Sequence, residues 1–176
     1  MTMAAPAAPE LSRPADVRQC EGQHMEIRAN EAERTALAKR FDLVRLDRLE
    51  AELTLTRKGR NVEASGTMSA DFVQRCAISS EDLPVLVEDS LSFRFVPERL
   101  DHSPDEELEI DADDCDEIDY SGTMVDLGEA VAQSLGLAID PFLSGPGADE
   151  ARRKVGILNA EDTGPFAALK GLKLEK

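Results

Sequence analysis

Few side chains in this sequence are of types that perform covalent or metal chemistry. They are three cysteines, Cys20, Cys76 and Cys115, and two histidines, His24 and His102. A structural zinc site takes about four ligands, usually in closely spaced pairs. Neither Cys20 nor Cys115 stands in a paired spacing with Cys76, so the cysteines predict no metal site and no cofactor. A cysteine nucleophile needs a base nearby and a third group to orient that base. Cys76, next to Arg75 at the end of a predicted strand, has no motif that supplies either. The run DADDCDEID, Asp111–Asp119, invites a calcium reading, but an EF-hand loop requires glycine at its sixth position. Cys115 and Asp116 fill the fifth and sixth places here, so the run reads as a solvated acidic loop. Motif content therefore predicts no enzyme. An unrecognised site built on Cys76 or the clustered carboxylates remains the rival from that class.

Charge is the stronger signal. The chain has 176 residues and a formal net charge of −16. From Met1 to Arg75 the 12 basic and 12 acidic residues cancel, whereas Cys76 to Glu150 holds 2 basic against 21 acidic. Ala151 to Lys176 reverses the sign, with 6 basic and 3 acidic. An acidic block of that size repels phosphate backbones and favours basic partners, which argues against a generic nucleic-acid binder. Within it, Glu81, Asp111, Asp113, Asp114 and Asp116 are the candidate partner-binding residues, in a docking region spanning Glu81–Glu129. The competing binding site is basic: Arg57, Lys58 and Arg60, placed to touch RNA. Scattered cysteines fit a reducing cytosol, and the start MTMAAPAAPELSRP has no basic region followed by a long apolar core. No apolar stretch approaches the roughly 20 residues of a membrane helix. A cytoplasmic location is expected.

These residues need elements to position them. Residues 1–9, rich in Ala and Pro, are expected to be disordered, and residues 10–176 to form a single domain with a loosely structured carboxy-terminal tail. Extended segments are predicted at Leu11–Arg18 and Gln23–Ala29. Asn30 with Glu33 makes a capping-box pattern for a helix reaching about Phe41. Leu49, Ala51, Leu53 and Leu55 alternate on one strand, and Val62, Ala64, Gly66, Met68, Ala70 and Phe72 on the next. Arg57–Asn61 supplies a turn with Gly59 available for positive φ, which predicts a β-hairpin. Val85, Val87, Leu91, Phe93 and Phe95 make a third strand ended at Pro97. A short strand fits Leu108–Ile110. Asp126 caps a second helix that turns Leu127, Val131, Ser134 and Leu135 inward and places Gly136 near its end. Leu143–Gly147 reads as a loop, Arg152–Lys154 as loose chain, and Phe166, Leu169 and Leu172 as one face of a short terminal helix. The fold class is α+β: an antiparallel sheet or partly closed barrel with two or more packed helices.

Taken in order, several stretches resemble the YceD family of large ribosomal RNA subunit accumulation proteins, in the version common in alphaproteobacteria. They are ELSRP (Glu10–Pro14), NEAERTALAKRFDL (Asn30–Leu43), LDRLEAELTLTR (Leu46–Arg57), and VQRC from Val73 leading through Pro84 to FRFVPE (Phe93–Glu98). DLGEAVAQSLGLAIDPF (Asp126–Phe142) and GPFAALKGLK (Gly164–Lys173) follow. The resemblance implies a bacterial, non-catalytic factor for accumulation of 23S ribosomal RNA and assembly of the large ribosomal subunit. It carries no catalytic residues. Many members have Cys-x-x-Cys in the middle segment; here the second position is Ser79, and the usual Glu-Pro that follows is Glu81-Asp82, so no metal or redox role is carried over. With the acidic block, the expected partner is a basic ribosomal protein or ribosome assembly factor. Direct ribosomal RNA contact is the alternative.

Overall fold

The computed structural model describes residues 9–98 and 116–155. Along the chain these form β1 (Pro14–Asp16), β2 (His24–Arg28), α1 (Glu31–Arg40), β3 (Arg45–Lys58), β4 (Asn61–Arg75) and β5 (Asp82–Pro97). After the gap come β6 (Asp116–Tyr120), β7 (Met124–Asp126), α2 (Leu127–Ala138) and α3 (Ala148–Val155). The described residues fall into two compact units. One is drawn from Met1–Gln74 and Pro84–Ile139, the other from Arg75–Leu83 and Asp140–Lys176. The expected fold class, α+β with helices packed on a sheet, is the one observed.

In the first unit a five-stranded sheet runs in the order β2-β3-β4-β5-β6, open at both ends rather than closed into a barrel. β3 and β4 form the predicted hairpin, paired from Lys58↔Asn61 to Arg45↔Val73 with one register shift, a bulge, between Leu46 and Arg48. Only Gly59 and Arg60 separate the strands, and Gly59 takes φ +67, the left-handed conformation that its missing Cβ makes inexpensive. β4 and β5 are neighbours joined by six residues, Cys76–Glu81, too short for a crossover, so they run antiparallel. β6 departs from the meander: it lies parallel to β5, Phe93 opposite Asp116 and Pro97 opposite Tyr120.

Alternation sets the core. Leu49, Ala51, Leu53 and Leu55 of β3, Val62, Ala64, Met68, Ala70 and Phe72 of β4, and Leu91, Phe93 and Phe95 of β5 are all buried in one cluster. Leu37 of α1 and Leu127, Val131 and Leu135 of α2 complete it. Each fully buried Leu or Phe contributes about 1.5–3 kcal/mol relative to exposure. Asn30 caps α1 in a true capping box, its side chain accepting from the Glu33 amide while Glu33 accepts from the Asn30 amide.

A feature without a sequence signal is the small sheet β1-β7, which ties the amino-terminal segment to the start of α2. Asp126 is its knot. One carboxylate oxygen accepts from the amides of Gly128, Glu129 and Arg13, and the other from the Ser12 hydroxyl at 2.6 Å. Gly128 is required by this approach, because a Cβ there would lie 2.7 Å from the Leu11 carbonyl oxygen. Gly136 plays a different part from the one its place near the helix end suggests. α2 continues to Ala138, and the Phe41 ring packs where a Cβ would be, at 2.7 Å. In the second unit Arg152–Lys154, read as loose chain, belongs to α3. Its first turn carries Asp149 and Glu150 and its last Arg152, Arg153 and Lys154, an arrangement that suits the helix dipole. Ion pairs Asp149–Arg152 and Glu150–Lys154 at helical spacing reinforce it.

Candidate functional site

Strands that send every second side chain into the core send the others out. The outer face of the first unit's sheet collects Glu26 on β2, Glu50 and Glu52 on β3, Glu63 and Asp71 on β4, Glu88 on β5, and Glu117 and Asp119 on β6. Arg28, Arg48, Lys58 and Arg94 are the cations interleaved with them. Arg28 lies 3.7 Å from Glu50, Arg48 makes paired hydrogen bonds to Asp71, and Arg94 reaches Glu63 and Glu117. The Arg48 guanidinium holds the Asp71 carboxyl below its usual range. Carboxylates outnumber these cations, and Glu52, Glu88 and Asp119 have no cationic partner among the described residues. Glu26 sits directly opposite Glu52 in the β2–β3 ladder, two like charges that a cross-strand pair normally avoids. Ser65, Thr67 and Ser69 on β4 leave the middle of this face small and polar.

The sequence-predicted acidic residues are placed differently from this surface. Glu81 lies in the second unit, where its half-buried carboxylate accepts from the Gly147 amide at 3.2 Å. Side chains at Gly145 or Gly147 would collide with it. Asp111, Asp113 and Asp114 lie outside the described residues, as do Leu108–Ile110, Cys115, His102 and the segment carrying Phe166, Leu169 and Leu172. Asp116 opens β6 opposite Phe93. The carboxylates on β2 and β3 were not singled out by sequence. They belong to a segment whose net charge is zero, and only the alternation of strand faces separates them from the inward residues.

The basic candidates do come together, at the β3–β4 hairpin tip. Their cations are partly engaged there. The Lys58 ammonium bonds Glu63 at 2.9 Å, and the Arg57 guanidinium donates to the Gly59 carbonyl at 2.8 Å. The Arg57 amide donates to Glu21 at 2.6 Å, and the Arg60 carbonyl accepts from the Tyr120 hydroxyl at 2.6 Å.

In the second unit, the loop after β4 folds the Cys76 thiol into a cradle of backbone donors. Ile78, Ser79 and Gly145 amides point at the sulfur from 3.5, 3.3 and 3.3 Å. These donors, Gly145 first, pull the thiol pKa down to about 7. The Ser79 hydroxyl, buried and itself without a well-formed hydrogen bond, also favours the thiolate. Cys20 in the first unit shows the opposite: burial pushes its thiol up. Among the described residues no cluster of three His, Cys, Asp or Glu side chains is arranged to hold a metal ion. No helix there is long and apolar enough to cross a membrane. Compared with known proteins, the chain matches no family model, no curated protein and no solved structure.

Proposed function

We propose that this protein is a non-catalytic, cytoplasmic factor of the YceD type that supports 23S ribosomal RNA accumulation and large-subunit assembly by binding a basic ribosomal protein or assembly factor. The ordered motifs from ELSRP to GPFAALKGLK support the ribosomal half of the reading. One observation carries the partner half: a broad sheet face on which carboxylates outnumber cations and Glu52, Glu88 and Asp119 have no cationic partner among the described residues. Complementary fields of this kind accelerate encounter and select partner sign. Direct ribosomal RNA contact through Arg57, Lys58 and Arg60 is less favoured, since Lys58 is already paired with Glu63 and the surrounding field is negative. An enzymatic use of Cys76 is less favoured, because the groups described as hydrogen-bonding its sulfur are amide donors and a hydroxyl, none of which is a general base.

The test is affinity purification of the tagged chain from its native cells, with and without ribonuclease, followed by identification of co-eluting protein and RNA. A basic large-subunit protein or assembly factor retained after ribonuclease and released by salt is the expected result. Retention that vanishes with ribonuclease transfers the role to the hairpin tip. Absence of ribosomal material in both arms refutes the assignment.

A further inference from the structure

The amino-terminal segment Glu10–Asp16 touches α1 and α2 at once, and nearly every residue in it is gripped by another element of the first unit. Glu10 pairs with Arg40 of α1 at 2.9 Å, and Arg40 in turn holds Glu129 of α2 at 2.9 Å. Leu11 is wholly buried in the core cluster. The Ser12 hydroxyl donates to one oxygen of Asp126 at 2.6 Å, and the Arg13 amide to the other at 2.8 Å. The Arg13 carbonyl accepts from the Leu127 amide, at the start of α2. The Arg13 guanidinium forks onto Glu33 of α1 at 2.8 and 3.0 Å and also reaches the Arg28 carbonyl. Pro14–Asp16 then pair with β7.

Helix starts leave amides that need an acceptor, and here the acceptors are atoms that the segment also uses. Asp126 Oδ1 accepts from Gly128 and Glu129, which caps α2, and the same oxygen accepts from Arg13. Glu33 Oε2 accepts from the Asn30 amide, which completes the capping box of α1, and the same oxygen accepts from the Arg13 guanidinium. We infer that Glu10–Asp16 is a latch that docks and leaves as one unit, and that its release uncaps α1 and α2 together. Groups that share one network couple, so a loss at one grip is felt at the others. Arg13 fixes the Glu33 carboxylate where it can reach back to Asn30, and its own backbone closes the first turn of α2. Whatever displaces the latch therefore loosens both helix starts at once. The β3–β4 ladder, built from its own backbone pairs, stays in place.

The test is native-state hydrogen exchange on the full chain, read amide by amide in two variants. Arg13→Gln removes the fork on Glu33 of α1 and keeps the backbone groups that meet α2. Ser12→Ala, at an exposed residue, removes the hydroxyl on Asp126 and keeps every contact with α1. The expected effects are crossed. Exchange at Leu127, Gly128 and Glu129 should quicken in Arg13→Gln, and exchange at Asn30 and Glu33 in Ser12→Ala, each by about fivefold or more, the scale of one lost hydrogen bond to a charged group. Amides of the β3–β4 ladder should stay within about twofold of wild type. Quickening confined to the helix that each substitution touches overturns the inference, because the segment then makes two independent contacts. Equal quickening of the ladder also overturns it, because the opening is then global unfolding. So does unchanged exchange at both helix starts, since the caps then stand without the segment.

Discussion

The two faces of one sheet are built on the same backbone and do opposite work. Along β3 the inward residues Leu49, Ala51, Leu53 and Leu55 are buried, while between them Glu50 and Glu52 face out and hold charge. Each inward side chain is constrained by neighbours on β4, α1 or α2, so its size and shape matter. Each outward one is constrained by solvent and by the sign of whatever approaches. Stability is therefore concentrated on one face, and the other is the one that the proposed reading assigns to a partner.

The comparison breaks most visibly from inside. Phe72 is almost wholly buried at the centre of the cluster. Phe72→Ala is expected to cost about 3–5 kcal/mol, measured as a drop in unfolding free energy by denaturant titration. A loss below about 1 kcal/mol would mean that the inner face is not the load-carrying one. Gly66 tests the same face by addition. It pairs with Leu53, and a Cβ there would strike the Glu52 carbonyl oxygen and crowd backbone that cannot move aside cheaply. Gly66→Ala is expected to cost roughly 1–3 kcal/mol or more as over-packing. The same change at Gly59 meets open space, so its cost comes from backbone conformation alone.

The two buried thiols sharpen the contrast between apolar and polar burial. Cys20, in the core cluster, is pushed up by desolvation, whereas Cys76, among amides, is drawn from 9.0 to about 7. Because the folded pKa of Cys76 is the lower one, the folded state binds fewer protons than the unfolded state between these values. Its stabilising contribution is then fully present above about pH 9 and is lost as pH falls through about 7. Wild-type protein should gain stability relative to Cys76→Ala as pH rises from 7 to 9. The thiolate absorbance removed by that variant should titrate near pH 7. A midpoint near 9 would show that the amides do not reach the sulfur.

Much of the inner face was legible in sequence, because period-two alternation and a glycine turn leave few other ways to fold residues 45–75. The capping box at Asn30 and the Asp126 cap were legible for the same reason: each uses a side chain whose chemistry matches the orphan amides of a helix start. What escaped the sequence was non-local. β1 and β7 are three residues each and meet across more than a hundred positions, so no local pattern announces them. α3 is only eight residues long, and its apolar positions Ala148, Ala151 and Val155, though at helical spacing, are too few and mostly too small to advertise it. The acidic face was half legible. Counting by segment pointed to the block after Cys76, but Glu26, Glu50 and Glu52 come from a segment whose charges cancel. They become a surface only when β2 and β3 pair.

The smallest effect is expected on that surface. Glu26 and Glu52 face each other with Glu50 adjacent, and Glu52 has no cationic partner among the described residues. Removing one charge by Glu52→Gln relieves repulsion and touches no core contact, so stability should change by no more than about 0.5 kcal/mol and in the favourable direction. The gain should shrink as salt rises, since the Debye length falls from about 10 Å at 0.1 M to about 3 Å at 1 M. Association with a basic partner should respond in the opposite sense. A weaker field slows encounter, so the on-rate should fall at low salt while the off-rate changes little. The two measurements belong on the same variant across one salt series. Destabilisation by more than about 1 kcal/mol would mean that Glu52 is structurally engaged and that the division of labour between the faces fails at that position. An unchanged on-rate at low salt would leave the face as mere solvation, because a field that does not act on an approaching cation selects nothing.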